Sequence, residues 1–181
     1  MKSQFSIFKQ SEGFTLIELI VVMSIIGILS SAVFLNRQSG EANFALQNSA
    51  YKLAQDIKEI REMAMEAREI DCNGEKGSNF GIQFKSSWPT YYVLFVDCDN
   101  DYSQGPGEDF RTINLEKGVK ISSLSPDSSF SIIFVPPDPK TYIKIEGGSS
   151  ASVAEITLSL ENYPSRQKSV IVNTSGMVEI K

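Results

Sequence analysis

The rhythm of hydrophobic positions changes twice along the chain. From Phe14 to Leu35 nearly every residue is apolar, Gly or Ser, with Thr15 near the start and Glu18 as the one charge. As a helix this run spans about 33 Å at ~1.5 Å per residue, against a bilayer hydrocarbon core of about 30 Å, so residues 14–35 are expected to cross a membrane. The pattern then thins to a seam. Leu46, Ala50, Leu53, Ile57, Ile60, Ala64 and Ala67 recur at alternating steps of four and three, which makes residues 36–70 an amphipathic continuation of the helix. Lys52, Asp56, Lys58, Glu59, Arg61, Glu62 and Glu66 fall off the seam and are expected on the wet face, Lys52/Asp56 and Lys58/Glu62 as i,i+4 pairs. The seam either docks on the chain's own sheet or pairs with a partner helix. Its small alanines and short length favour the first. Gly27 and Gly40 interrupt the helix at about 1 kcal/mol each relative to Ala. Gly27 marks either a place of close helix packing or a point where the helix can melt locally.

After Glu69 the period shortens to two. Residues 80–84, 142–146 and 156–160 alternate, and 91–96 and 132–135 are short continuous apolar runs, all reading as strands. Ser169–Val172 and Met177–Ile180 flank Asn173-Thr174-Ser175-Gly176 and predict a hairpin. Pro136-Pro137-Asp138-Pro139 is a turn between strands, and Gly147–Ser150 a flexible loop. The expected fold class is α+β: one long N-terminal helix followed by about eight short strands, which form an antiparallel head over 71–181 packed on the helix from about residue 43.

Charge narrows the function. The chain holds 17 basic and 22 acidic side chains and no histidine. The acidic balance argues against a nucleic-acid partner, which usually meets a basic patch. The missing histidine removes Ser-His-Asp and Cys-His catalysis, histidine zinc sites and a histidine pH switch. No nucleophile stands beside a recognisable base, so the chain is not expected to be an enzyme. Lys2 and Lys9 precede the apolar run, which puts the leader in the cytoplasm and the head outside it.

The junction at the head of the run is the most specific feature. A short polar leader ends at Gly13, the apolar run starts at Phe14, and a carboxylate sits four residues inside it at Glu18. A secretory signal is cut after its apolar region, not before it, and a plain anchor explains neither Gly13-Phe14 nor Glu18. Gly13-Phe14-Thr15-Leu16-Ile17-Glu18-Leu19-Ile20, with Val21-Val22 and Ile25-Ile26-Gly27-Ile28-Leu29, resembles the type IV pilin and type II secretion pseudopilin superfamily. The resemblance implies a cleaved leader at 1–13, removed by a prepilin peptidase that cuts after Gly13 and methylates Phe14. Cleavage would leave 15 basic and 21 acidic side chains, since Lys2, Lys9 and Glu12 go with the leader. It also implies that Glu18 pairs with a neighbouring subunit's N-terminal amine during assembly. The partners it implies are other pilin or pseudopilin subunits, an inner-membrane assembly platform and membrane lipid. The ending from Val170 to Val178 and the Tyr92–Asp97 segment are similar to H-type minor pseudopilins and related minor pilins. The resemblance implies either a structural subunit, a minor one, of a type II secretion pseudopilus or type IV pilus, or a minor pilin acting as a DNA- or surface-binding module at the filament, since some minor pilins related to the H-type family bind DNA. The one basic cluster here, Arg166 and Lys168, reads better as a solvated turn.

Two further constellations stand out. Asp97, Asp99 and Asp101 alternate, and Glu108 and Asp109 follow at a spacing that can close an oxygen-lined loop. The pattern lacks the glycine of an EF-hand, with Tyr102 in its place, so it is either a structural calcium site or a solvated acidic turn. No other cofactor is expected. Cys72 follows the helix and Cys98 follows the strand at 91–96. Outside the cytoplasm they either form a disulfide, closing a loop of about 25 residues, or remain two free thiols.

Overall fold

A computed structural model describes residues 13–66, 68–72, 75–137 and 140–181, with the backbone alone over 32–39. The leader, except Gly13, and Ala67, Asp138 and Pro139 lie outside the described residues. Helix α1 spans Leu16–Met65, and the chain divides into two compact units, 1–40 and 41–181.

In the first unit the apolar side chains from Phe14 to Leu29 face outward, each about half exposed or more. The hydroxyls of Ser24 and Ser31 fold back onto the carbonyls of Ile20 and Ile28, at 2.8 Å each, so these two polar groups are satisfied within the helix. Among the described residues no helix is long and apolar enough to cross a membrane. The described side chains of the run stop at Ser31, and Leu16–Ser31 makes only about 24 Å of helix.

The second unit folds around the helix seam. Strands β1 (Ile70–Cys72) and β2 (Glu75–Gly77) form a small antiparallel pair. A six-stranded antiparallel sheet takes the order β5-β4-β3-β7-β8-β9, from β3 (Asn79–Lys85), β4 (Tyr91–Asp97), β5 (Asp109–Asn114), β7 (Ser129–Val135), β8 (Lys140–Ile145) and β9 (Ser150–Ala151). A four-stranded sheet takes the order β12-β11-β10-β6, from β6 (Val119–Ser125), β10 (Val153–Leu160), β11 (Gln167–Asn173) and β12 (Val178–Ile180).

Alternation sorts the six-stranded sheet into two faces. Phe80, Ile82 and Phe84 of β3 stand opposite Phe134, Ile132 and Phe130 of β7. With Tyr92, Leu94 and Val96 they join Leu53, Ile57 and Ile60 of α1 in one core. Ile156, Leu158, Val170 and Val172 of the four-stranded sheet enter the same core, so the seam docks on the chain's own sheets. Burying side chains of this size is worth roughly 1.5–3 kcal/mol each. The outer face, away from α1, carries Gln83, Val93, Phe95, Ser131 and Ile133, which are buried as well. A side chain at Gly81 would run into the Phe95 ring, which fixes glycine there.

Three features depart from the sequence expectation. The helix ends at Met65, a turn short of residue 70, where β1 begins. Asp56, placed by spacing on the wet face, is buried, because the helix is gripped on a broader stripe that also takes Ser49, Ala54 and Met63. Strands β1, β2, β5, β6 and β9 extend the expected set. β5 is an edge strand with only Ile113 buried, and irregularities at Leu94/Phe95 and Thr157/Leu158 break the ladders to β5 and β6.

Candidate functional site

At the N-terminus, Gly13 has open space around it and Phe14 is 86% exposed. Thr15 caps the helix. Its Oγ1 accepts a hydrogen bond from the Glu18 N–H at 3.3 Å, and its carbonyl accepts from the Leu19 N–H at 3.2 Å. Glu18 is thus at the third helical position, where the helix dipole favours a carboxylate. Thr15-x-x-Glu18 spells a capping box, a signal in the sequence that the reading of Glu18 as a lone charge overlooked. The surrounding face is apolar: Phe14, Leu19, Val22 and Met23 line a groove beside Glu18.

The acidic loop follows β4. Asp97 is fully buried. Its Oδ1 accepts from the Asp101 N–H at 3.1 Å, and its Oδ2 accepts from the Tyr102 N–H and from Asn79 Nδ2 at 3.3 Å each. Asn79 also donates to Asn100 Oδ1 at 2.8 Å. Glu108 reaches back across the loop, accepting from the Cys98 N–H at 2.8 Å and the Gly105 N–H at 2.6 Å. Carboxylate oxygens of Asp97, Asp99 and Glu108 lie within 4.8 Å of one another. Asp101 and Asp109 are not in that group: Asp101 accepts from the N–H and Oγ of Ser103, and Asp109 accepts from Gln104 Nε2 at 2.6 Å. Burial pushes the Asp97 carboxyl up to about 6, with the Glu108 charge adding to the rise and the Asn79 and Tyr102 donors opposing it. Three hard oxygen donors suit calcium in kind, though calcium takes six to eight oxygens in all.

Cys72 and Cys98 form a disulfide with a Cα–Cα distance of 6.4 Å. It ties the β1–β2 pair to the start of the acidic loop. A side chain at Gly77 would come within 2.6 Å of Cys98 Sγ, so the pair can lie against the bridge only with glycine there.

In the basic cluster, Arg166 donates to Asn43 Oδ1 at 3.0 Å and lies 4.8 Å from the centroid of the Tyr163 ring. Lys168 sits opposite Leu158 in the β10–β11 ladder. Arg166 thus serves to hold the β10–β11 turn to the start of the helix in the second unit.

Residues 8–34 match the family described as "Prokaryotic N-terminal methylation motif". Curated protein sequences give no match. Among solved structures, the chain is similar to the type IV minor pilin FimU of Pseudomonas aeruginosa, with 10% identity and a TM-score of 0.48, over 81% of this chain and 92% of that one. The matched residues include Gly13, Phe14 and Glu18, so the N-terminal segment carries the methylation motif of prepilins.

Proposed function

We propose that the chain is the precursor of a pilin-like structural subunit, a minor one, of a type II secretion pseudopilus or a type IV pilus. The carrying observation is the methylation motif on a segment whose apolar side chains face outward around Glu18. A contiguous apolar surface of that extent calls for lipid or protein around it. In this reading a prepilin peptidase cuts after Gly13 and methylates Phe14. The segment waits in the inner membrane with the head outside the cytoplasm, and then enters a bundle of like helices at an assembly platform. Glu18 sets the register there by meeting the ammonium of a neighbour's Phe14, a pairing that offsets the cost of burying either charge alone. The work done is assembly, with no reaction assigned to the head.

The acidic loop carries a second element of the proposal, a structural calcium held by Asp97, Asp99 and Glu108. The convergence of these three side chains favours it. Such an ion would cross-link the end of β4 to the start of β5.

Co-expression with a prepilin peptidase tests the main reading. Mass spectrometry should find a mature chain starting at N-methylated Phe14, and Gly13→Val should block the cut. An intact Met1 terminus, or a cut elsewhere, overturns it.

A further inference from the structure

On the outer face of the six-stranded sheet, away from α1, the acidic loop and the end of β8 enclose a cleft of about 220 Å3. We propose that this cleft binds a single hexose-sized sugar unit. The inference is independent of how the chain assembles.

The floor is an ordered amide. Gln83 is 5% exposed; its Nε2 donates to Ser129 Oγ at 3.1 Å, and its Oε1 accepts from Ser131 Oγ. A primary amide has two N–H donors and two lone pairs, so half of its capacity is used in holding it still. One N–H and one lone pair remain on a buried group that lines the cleft. A buried amide with spare capacity favours a ligand able to donate and accept at neighbouring atoms.

The wall is an aromatic ring held in a strained backbone. Tyr102 sits at φ +63°, a left-handed conformation that costs a bulky residue about 1 kcal/mol or more. The Asp97 carboxylate holds it there through its N–H. The ring lies 5.3 Å from the Tyr142 ring, with Lys144 Nζ 5.7 Å from its centroid.

The rim carries both signs of charge. Lys85 and Lys144 are matched by Asp101 and Glu146, with Gln104 and Ser103 beside them. A balanced rim favours neither an anion nor a cation, while amides and hydroxyls suit an uncharged ligand. The volume is below the ~300–1,000 Å3 of pockets for drug-sized molecules, which limits the occupant to one ring. A hexose meets each condition: vicinal hydroxyls that donate and accept, no charge, and a C–H face for an aromatic wall.

The test titrates the full chain, in a polyoxyethylene detergent without a sugar headgroup, with methyl glucoside, methyl galactoside, methyl mannoside and N-acetylglucosamine. Glycine and acetate serve as charged comparators. Saturable millimolar binding of at least one sugar is expected, weakened about tenfold or more by Gln83→Leu and by Gln104→Ala. Gln83 lies in the sheet, so if its variant fails to fold, Gln104→Ala on the loop decides the matter. Absence of saturation by all four sugars, sugar binding unchanged in Gln104→Ala, or salt-sensitive binding of glycine or acetate alone would each overturn the proposal.

Discussion

The Tyr92 phenol in β4 donates a hydrogen bond to Asp56 Oδ2 in α1 at 2.5 Å, across the buried contact between helix and sheet. Burial, and after it the Asp56 hydrogen bond and charge, raise the phenol's pKa far above its ordinary value, so the donor proton stays in place at any working pH. Tyr92→Phe leaves a buried carboxylate without this donor. The expected loss is about 1–3 kcal/mol, read as a lower melting temperature of the full chain. Asp56→Leu together with Tyr92→Phe should recover part of it, because removing both polar partners costs less than orphaning one. A Tyr92→Phe chain that melts with the parent would show that the pair contributes nothing.

The register role proposed for Glu18 is separable from its place at the helix start. Its backbone N–H, not its side chain, meets Thr15, so Glu18→Ala keeps the cap bond. It should leave cleavage and membrane insertion intact, since losing a charge eases insertion. Incorporation into sheared filaments should fall, and Glu18→Gln should behave similarly. Filament levels equal to the parent's would remove Glu18 as the register charge.

Asp97 gives the head a pH dependence with a definite sign. Its folded pKa, about 6, lies above the unfolded value near 3.8. The folded chain therefore holds the proton more tightly, and this contribution is complete below pH ~4 and lost as pH rises through about 6. In chelator, melting temperature should fall across that window, and Asp97→Asn should flatten the fall. Adding calcium at neutral pH should raise the melting temperature by mass action, and Asp99→Ala should abolish that rise. A melting temperature indifferent to calcium returns the loop to a solvated turn.

The disulfide joins residues 26 apart. By loop-closure entropy it should stabilise the head by about 3–4 kcal/mol. Replacing Cys72 and Cys98 by Ser should lower the melting temperature accordingly, and a reductant should do the same to the parent chain. If neither changes it, the bridge adds nothing to stability.

Legibility in the sequence followed periodicity. Leu53, Ile57 and Ile60 announced the helix seam, and 80–84, 91–96 and 156–160 the central strands, because each strand has a partner on both sides, two of them alternating and 91–96 buried on both faces. β5 was obscured because an edge strand buries little: only Ile113 is buried, and Asp109 reads as part of the acidic loop. Asp56 was misplaced because spacing along a helix does not reveal how wide a stripe two sheets will cover. The acidic loop was visible as composition, but the turning of Asp101 to Ser103 and of Asp109 to Gln104 depends on the left-handed residues Asn100 and Tyr102, which a pattern of carboxylates does not encode. Thr15 is legible as a cap in the Thr-x-x-Glu spacing at the head of the apolar run.

The described residues of the buried core begin at Leu46, with Ala42 and Ala45 packed at its margin. Substitutions from Phe14 to Leu29 therefore meet no packing test when a single copy folds, whereas a change at Ile57 or Phe130 is judged at once. In the assembly proposed above, selection acts on the two stretches at different moments, on one when each molecule folds and on the other when molecules meet. On that reading a mutational screen scored on the folding of the head would pass damaged and sound variants of the outward-facing segment alike, and a screen scored on assembled material would sort them.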